Sequence, residues 1–449
     1  MKTVREQVVD LLIEVEQEES YAQLSLKNAL ADLSHIDRAL ATEIFYGTLK
    51  YQIQLDYWIN QFSKTPIRKM KPLIRQVLRI SLYQMMYLDK IPTSAIINEA
   101  VKITKKRKFQ GLSAFVNGIL RNIDRSKDKL SYPDPKVNLE TSMSVQYALP
   151  EWMIHLWLEQ YSKEEVACIC EALNQRAKVC GRWNFLKGEK IYLEAILEKE
   201  GAIIEPGHLL EEAFYIKKMD KLQNLDSFKT GIWTVQDESA MLVAHVMAPK
   251  EGEQVLDMCS APGGKSMHMA AMMHNKGRIV ACDIHDHKLE LIDKTAARLG
   301  ISIIEPTLQD GTRFNIVFEE KFDKVLLDAP CSGLGIMKRK PDIRHNKTRD
   351  DIEDIVAIQR ELIKQAVRYV KPGGRLVYST CTINQMENEQ MVHEIMSEYG
   401  LELENIVDTM PECLKSAVKE KGMIQILPQM ADTDGFFIAS FRKGAFKHE

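Results

Sequence analysis

Residues 254–266 read QVLDMCSAPGGKS, and this stretch decides the fold of the C-terminal half of the chain. The apolar residues at its start predict a short β-strand, and the residues after its two glycines predict a helix. In a strand–loop–helix arrangement of this kind, backbone N–H groups approach a ligand closely at the positive end of the helix dipole. From Gly252 onward, strand-like and helix-like segments alternate strictly, which is typical of a doubly wound, Rossmann-like α/β sheet.

The glycine loop could bind either the phosphates of a nucleoside triphosphate or a cofactor that contains a ribose, and its residues favour the cofactor. Residues 259–266 nearly match the phosphate-binding motif GxxxxGK[ST], but Cys259 stands where that motif requires its first glycine. The strand predicted over 278–283 ends in Asp283, about 20 residues after the glycines, where a carboxylate can bind ribose hydroxyls. A capping aspartate at a strand end is the alternative interpretation of Asp283. Asp310 follows a third strand-like stretch and is expected to reach an adenine edge.

Two cysteines are predicted to end neighbouring strands of this sheet. Val325–Cys331 reads VLLDAPC and Leu376–Cys381 reads LVYSTC, and ligands bind open α/β sheets at the carboxyl ends of the strands. One such cysteine is usually a packing residue, whereas two favour a functional role. One reaction that requires such groups is methylation of cytosine at carbon 5. In that reaction a thiolate adds to carbon 6, and an acid, here Asp328, binds the N3/N4 edge. The base must leave its stack to enter such a site.

The first 125 residues predict an all-α domain. The apolar residues of the first helix follow the spacing of one helix face: Val4, Val8, Leu11, Leu12 and Val15. Residues 1–140 contain 22 Lys and Arg against 16 Asp and Glu, whereas the remainder contains 38 against 47. This asymmetry indicates a basic N-terminal module that could bind a polyanion, attached to a more acidic body.

Basic residues of this domain cluster in two places. Six occur between Lys64 and Arg79 without an acid among them, and five more occur between Lys102 and Lys108. Clusters of this kind are typical of nucleic-acid-binding surfaces, and solvated helix faces are an equally good interpretation. The second cluster supplies Lys105, Lys106 and Arg107 as candidate contacts.

Four segments are expected along the chain. Residues 1–125 form the helical domain, and residues 126–150, where the helical periodicity fails and prolines appear, form a linker. Residues 151–235 form a small α/β module in which one helix over 191–200 ends at Gly201. Residues 236–449 form the α/β domain that carries the glycine loop and both strand-end cysteines.

Composition excludes several classes of protein. Apolar residues make up 45% and charged residues 27%, values typical of a folded protein. The sequence contains no run of about 18 uncharged apolar residues and no signal-peptide core, so we expect a cytoplasmic protein without a membrane span. Its eight cysteines are too sparse for a disulfide scaffold and lack zinc-site spacing, so reduced thiols and no metal are expected. Cys168 and Cys170 suit buried packing.

The motifs resemble those of a known family. The strings DMCSAPGGK (257–265), DAPCSG (328–333), RKPDIR (339–344) and STCT (379–382) are similar to those of RNA cytosine-C5 methyltransferases. The N-terminal half resembles the RNA-binding domain of the antitermination factor NusB at several short segments: Asp37–Leu40, Tyr46–Leu49, Tyr83–Gln84, Ile91–Pro92, Asn98–Ala100 and Val116–Arg121. Together the two motif sets cover nearly the whole chain.

The resemblance implies a fold, a cofactor and a substrate. The expected fold is multidomain: an all-α NusB-like domain, a ferredoxin-like or RRM-like middle module, and a class I S-adenosylmethionine-dependent methyltransferase domain. The expected substrate is 16S ribosomal RNA, at cytosine 967, either free or in an early assembling small subunit. A monomer is expected.

The resemblance also implies residue roles. Cys381 would be the nucleophile, Cys331 would help to release the product, and Lys265 would lie near the cytosine beside Asp328. The implied cofactor contacts are Cys259, Ser260, Ala261, Pro262, Gly263, Gly264, Lys265, Asp283, Asp310 and Asp328. Arg339 and Arg344 join Lys105, Lys106 and Arg107 as candidate RNA contacts.

Two departures and three alternatives accompany the resemblance. His345 stands where tryptophan is common, and Trp183 stands where valine is common, so a difference from the family in the fine positioning of RNA is expected at these two sites. A transfer-RNA cytosine methyltransferase would share the catalytic half, but the NusB-like domain argues against it. A non-catalytic RNA-binding scaffold would not need both thiols. A protein glutamine methyltransferase would have Asn-Pro-Pro-Tyr in place of Asp328–Cys331.

Overall fold

The computed structural model describes residues 2–18, 33–219 and 222–444. It consists of two compact units, which we call the helical unit (Met1–Glu171 and Lys340–Lys347) and the sheet unit (Ala172–Arg339 and Thr348–Glu449). Part of the predicted helical domain, residues 19–32, lies outside the described residues. Among the described residues, no helix combines the length and apolar character needed to span a membrane.

The first six helices of the helical unit surround one apolar core. Its helices are α1 (Val4–Glu18), α2 (His35–Lys50), α3 (Gln52–Phe62), α4 (Pro72–Tyr87), α5 (Thr93–Lys106), α6 (Ser113–Arg125), α7 (Leu139–Tyr147) and α8 (Glu151–Leu158). Four residues of the predicted face of α1, Val8, Leu11, Leu12 and Val15, are buried in this core. Helix α4 packs against α1, α2, α3, α5 and α6, and it is therefore buried over most of its length. Helix α9 (Lys163–Asn174) follows α8.

The predicted linker contains a helix that the periodicity did not reveal. In α7, the consecutive residues 142–145 are all buried, and two of them are serines. The hydroxyl of Ser142 donates to the carbonyl of Pro133 (2.8 Å) and that of Ser144 to the carbonyl of Leu149 (2.5 Å). The sequence pattern of residues 126–150 does not reveal this helix, because buried hydroxyls with local partners do not produce an apolar period.

The sheet unit begins with a small antiparallel sheet. Its elements are β1 (Val179–Trp183), α10 (Lys190–Lys199), β2 (Ile203–Pro206), β3 (Ala213–Lys218), α11 (Asp226–Lys229) and β4 (Trp233–Val235). The strand order is β2-β3-β1-β4. Helix α10 ends before Gly201, which adopts a φ of 77° and thus supplies the left-handed turn that the sequence predicted.

The large sheet carries the motifs of the C-terminal half. Its elements are α12 (Glu238–Met247), β5 (Gln254–Asp257), α13 (Gly264–Met272), β6 (Arg278–Asp283), α14 (Asp286–Leu299), β7 (Ile304–Leu308), β8 (Phe322–Asp328), α16 (Arg349–Tyr369), β9 (Val370–Thr380), α17 (Glu389–Tyr399), β10 (Glu402–Leu403), α18 (Glu412–Lys415), β11 (Val418–Lys419), β12 (Met423–Ile426) and β13 (Phe436–Arg442). Helix α15 (Ile343–Asn346) belongs to the helical unit.

Strand order explains where the site lies. The order is β11-β12-β13-β9-β8-β5-β6-β7, and β5 to β9 are mutually parallel. The chain runs from β5 outward to β7 and then crosses to β8, so the topological switch point lies between β5 and β8, where α/β sheets bind ligands. The expected strict alternation ends after α17, since β12 and β13 follow as buried antiparallel strands.

Candidate active site

The glycine loop is anchored by a buried carboxylate at the end of β5. Ser266 donates to Asp257 Oδ2 (2.5 Å), and Ser260 and Ser266 share a hydrogen bond of 3.1 Å. Burial raises the pKa of Asp257 to about 7, against the hydrogen bond from Ser266. Gly263 has a φ of 96° and precedes α13. These serines hold the loop from which α13 begins. The backbone N–H groups of the first turn of α13 have no acceptor within the helix and can therefore bind a ligand.

Two acids follow the next strands along the same edge. Asp283 ends β6 and accepts the backbone N–H of His285 through Oδ1 (2.9 Å). In the described part of the chain, its Oδ2 has no hydrogen-bond donor. Asp310 lies beyond β7 and accepts the N–H (3.0 Å) and hydroxyl (2.6 Å) of Thr312, and this hydroxyl lowers the pKa of Asp310. Ile284 directly after Asp283 is 57% exposed, an apolar surface that our sequence analysis missed.

A lysine and an aspartate form an ion pair at the switch point. Lys265 Nζ donates to Asp328 Oδ2 (2.6 Å), and Ser379 Oγ donates to Asp328 Oδ1 (2.8 Å). Burial alone would lower the pKa of Lys265, but the charge of Asp328 outweighs it and the pKa rises. The Lys265 ammonium also lies 5.2 Å from the centre of the Phe436 ring. The pair thus joins the glycine loop to the carboxyl ends of β8 and β9.

The two predicted cysteines meet at the ends of adjacent strands. Strands β8 and β9 pair with Asp328 opposite Ser379, and the loops beyond them place Cys331 Sγ 3.3 Å from Cys381 Sγ. The contact with the Cys381 thiol, followed by burial, raises the pKa of Cys331 well above its usual range. A protonated Cys331 can therefore donate a hydrogen bond to Cys381 Sγ.

Glycines allow the two loops to approach each other. The N–H of Gly335 donates to the carbonyl of Cys381 (3.1 Å), and the N–H of Gly435 donates to the carbonyl of Gly335 (2.9 Å). A Cβ at position 335 would lie 2.1 Å from the carbonyl oxygen of Gly435. Any larger residue at 335 would therefore push the loop of Cys331 away from that of Cys381.

Two further buried polar residues, Glu387 and Asn388, lie at the start of α17. Our sequence analysis did not single them out, because a charged string such as ENE is usually a solvated helix start. The available signal was its position, a few residues after the second strand-end cysteine. Their contacts with both cysteine loops are described below.

The candidate RNA contacts fall into two groups. In the helical unit, Lys105 is exposed, whereas Lys106 bonds to Glu6 (2.8 Å) and Arg107 to Asp10 (2.6 Å). In the sheet unit, Arg339 lies between Asp237 and Asp434, at 2.6 Å from each. Burial would lower the pKa of Arg339, but these two carboxylates raise it. The structure thus brings Arg339 into an internal ion network of its own unit.

Arg344 does not lie on a surface. It is 1% exposed, and its Nη1 donates to the carbonyls of Lys50 and Ala148, both at 3.2 Å. His345 Nε2 lies 2.7 Å from the carbonyl of Leu49. The prediction that Arg344 contacts RNA is therefore wrong for this structure, because its guanidinium is enclosed within the helical unit.

One cluster in the sheet unit has the composition of a metal site. Glu212 Oε1 lies 2.6 Å from His245 Nε2 and 3.3 Å from His268 Nε2. Fully buried Arg182 stands close enough to add to the effect of burial, and together they lower the pKa of His268 to about 3. A cluster that already contains a buried cation is poorly suited to a divalent ion, so the absence of a metal stays a prediction.

Three family models match the chain in succession. The NusB family matches residues 2–125, the ferredoxin-like domain of RsmF/B-like methyltransferases matches residues 149–223, and the 16S rRNA methyltransferase RsmB/F model matches residues 244–442. The order agrees with the predicted fold class, which is thereby confirmed.

Curated relatives extend over the full length. The probable ribosomal RNA small subunit methyltransferase B of Bacillus subtilis is 41% identical, with 98% of this chain and 99% of the relative covered. The probable enzyme of the same name from Synechocystis is 34% identical, over 99% and 100% of the two chains.

Solved structures show the same architecture. The crystal structure of PH0851 has a TM-score of 0.79 and 26% identity, covering 99% of both chains. NSun6 from Pyrococcus horikoshii, crystallised with SFG, has a TM-score of 0.59 and 25% identity, covering 66% of this chain and 99% of its own.

Proposed function

The chain belongs to the 16S rRNA methyltransferase RsmB/F family of S-adenosylmethionine-dependent RNA cytosine-5 methyltransferases, and we propose that it methylates carbon 5 of cytosine 967 in 16S ribosomal RNA. The observation that supports the chemistry best is the 3.3 Å separation of Cys331 Sγ and Cys381 Sγ. Both thiols lie on the edge of the sheet that holds Asp328 and Lys265. A scaffold that only binds RNA has no use for this arrangement.

In the proposed reaction, the chain acts on the cytosine ring through four side chains. Cys381 Sγ, as the thiolate, forms a bond to carbon 6, and the electron pair moves to carbon 5. Asp328 accepts a hydrogen bond from the N4 amino group and thereby orients the ring, and the Lys265 ammonium stabilises the negative charge that develops on it. After carbon 5 has gained the methyl group, water takes the carbon-5 proton while the Cys331 thiol donates a hydrogen bond to Cys381 Sγ. The electron pair restores the ring double bond and expels the Cys381 thiolate.

The residues of the glycine loop suit S-adenosylmethionine, which supplies an electrophilic methyl group when bound. The open first turn of α13 after Gly263 can bind a carboxylate. Asp283 keeps one carboxylate oxygen without a donor in the described residues, so it can accept ribose hydroxyls. Ile284 offers an exposed apolar face to an adenine, whose edge Asp310 can reach. The remaining proposed contacts, Cys259, Ser260, Ala261, Pro262, Gly264, Lys265 and Asp328, line the same edge.

The helical unit is proposed to hold the RNA. Among the basic residues of its first cluster, Arg75 and Arg79 form internal ion pairs with Glu16, whereas Lys64, Arg68, Lys69 and Lys71 are exposed. With Lys105, these exposed cations give a sequence-independent attraction for phosphates. These residues can therefore retain RNA by contacts to its backbone, whatever its sequence.

Bisulfite sequencing of ribosomal RNA tests the proposal directly. A strain that lacks this protein should lose protection at one cytosine of 16S rRNA, and the wild-type gene should restore it. Complementation with Cys381→Ala should fail to restore protection although the protein accumulates normally. Loss at a transfer-RNA cytosine, or no loss at all, would reject the assignment.

A further inference from the structure

The start of α17 reaches the loop that carries Cys331. The Glu387 carboxylate accepts the N–H (2.8 Å) and the hydroxyl (2.5 Å) of Ser332, the residue after Cys331. Gln359 Nε2 donates to the carbonyl of Pro330, the residue before Cys331, at 2.9 Å. Gln359 also reaches Glu387 itself at 3.4 Å. The loop is thus fastened on both sides of Cys331, and neither fastening touches the thiol.

The next residue, Asn388, fastens the other loop in the same way. Its Oδ1 accepts the hydroxyl of Thr380 (2.6 Å), and its Nδ2 donates to the carbonyl of Thr382 (3.1 Å). These two residues flank Cys381. Gln425 accepts a second hydrogen bond from Asn388 Nδ2 (2.6 Å) and donates to the same Thr382 carbonyl (3.3 Å).

Burial makes this arrangement rigid. Glu387 and Asn388 are both fully buried. If one of their hydrogen bonds were broken, water could not replace it without a cost in free energy. The hydroxyls of Ser332 and Thr382 share a hydrogen bond of 2.8 Å, which joins the two loops directly. Besides this shared hydrogen bond, each of the two neighbouring residues binds the loop of only one thiol: Glu387 that of Cys331, and Asn388 that of Cys381.

We propose that Glu387 and Asn388 are separate positioning residues, with Asn388 aligning Cys381 for attack on carbon 6 and Glu387 aligning Cys331 for product release. This proposal rests on the thiol roles proposed above. Because a displacement of about 1 Å in a reacting group can cost about 100-fold in rate, loosening one loop should slow one step and spare the other.

Single-turnover kinetics with 16S rRNA fragments separate the two steps. The covalent protein–RNA adduct is quantified on denaturing gels, and methylated RNA is quantified after release. Asn388→Ala should slow adduct formation about tenfold or more without changing the rate of release from adduct already formed. Glu387→Ala should form the adduct at the wild-type rate and release it about tenfold or more slowly. Glu387→Gln, which keeps one acceptor for Ser332, should recover part of the release rate.

Glu389→Gln is the matched control for Glu387→Gln. Glu389 lies in the same segment and is buried, but its carboxylate bonds to Lys419 (3.0 Å) and to neither cysteine loop. Both rates should remain those of the wild type. Calorimetric affinity for S-adenosylmethionine should be retained in every variant, since the glycine loop is not altered.

The outcomes distinguish this proposal from the proposed function. Equal slowing of both steps in both variants, or no change in either rate, overturns the separate positioning roles while Cys381→Ala still abolishes the adduct. An adduct that persists in Cys381→Ala overturns the proposed function instead. If an alanine variant no longer binds S-adenosylmethionine, Asn388→Ser and Glu387→Gln replace it, and their two rates decide in the same manner.

Discussion

Both units of the molecule bury polar and charged side chains, but these serve different purposes. In the helical unit, Arg79 makes two hydrogen bonds to Asp56 (2.7 and 2.6 Å), and Arg344 binds main-chain carbonyls; these contacts stabilise helix packing. In the sheet unit, Glu387 and Asn388 bind the neighbours of the two thiols for which we propose roles in the reaction. A buried charge is thus not a sign of catalysis by itself. Whether a buried charge has a role in catalysis depends on its position relative to the carboxyl edge of the sheet.

The largest difference between the units should appear on removing thiols. Cys381→Ala should abolish both methylation and the covalent RNA adduct, because the group that bonds to carbon 6 is gone. Cys331→Ala should form the adduct and fail to resolve it, giving a slow band on a denaturing gel only when cofactor is supplied. Cys170→Ala, which alters a buried thiol of the helical unit, should behave as wild type. A trapped band in Cys381→Ala alone would exchange the two roles.

Removing the buried guanidinium of Arg344 should lower the stability of the helical unit. Arg344→Met leaves the carbonyls of Lys50 and Ala148 without their donor, and should lower the free energy of unfolding by about 2–3 kcal/mol. Faster amide hydrogen exchange in α2 and α7 would report this. Arg278→Met, which breaks a solvent-exposed pair with Glu305, should cost under about 1 kcal/mol. Unchanged exchange together with weaker RNA binding would make Arg344 an RNA contact after all.

A smaller change is expected at the cofactor edge of the sheet unit. Asp283→Ala should weaken S-adenosylmethionine binding by about 1.5–3 kcal/mol, because hydrogen bonds from ribose to a charged acceptor are lost. Isothermal titration calorimetry measures this change. Asp293→Ala, at an exposed position of α14, should leave the affinity as it is. Equal affinities in both variants would return Asp283 to a capping role.

Acid should destabilise both units through one histidine each. Burial lowers the pKa of His268 to about 3 in the sheet unit and that of His345 to about 4 in the helical unit. Between those values and the ordinary pKa of about 6.5, the unfolded chain binds protons that the folded chain does not. Stability therefore falls with decreasing pH, by up to about 1.4 kcal/mol per unit for each histidine.

His345→Gln sharpens this comparison. The amide can still donate to the carbonyl of Leu49 but does not titrate, so the pH dependence of hydrogen exchange should flatten in the helical unit only. Exchange measured at pH 7, 6 and 5 would show it. An identical slope in wild type and variant would mean that His345 is protonated in the folded protein at an ordinary pKa.

The smallest effect concerns the basic surface. Lys105→Ala should reduce the dependence of RNA affinity on salt by about one unit of logarithmic slope without changing stability. Lys106→Ala should instead destabilise the helical unit, because the carboxylate of Glu6, which is 1% exposed, loses its ion pair with Lys106 and keeps the N–H of Thr3. Salt titrations of binding and denaturant unfolding separate the two. A wild-type slope in Lys105→Ala would leave that residue on a solvated face.

Much of the architecture could be predicted because it follows from local patterns. The period of the helical half and the strand, loop and helix around Gly263 gave the fold class, and the family comparisons confirm it. Helix α7 was missed because its buried serines break the apolar period. The antiparallel end of the sheet was missed because the order of elements along the chain does not state which strand pairs with which.

The sequence by itself determined the family, the class of cofactor and the residue types available for chemistry, because each of these depends on short contiguous motifs. Only the tertiary structure decided which of those residues meet. Cys331 and Cys381 are separated by 50 positions, and Arg344 lies 294 positions from Lys50, whose carbonyl it binds. Burial, pairing and distance arise when remote segments pack together. The sequence therefore does not distinguish an exposed basic residue, which can bind RNA, from an enclosed one, which stabilises the fold.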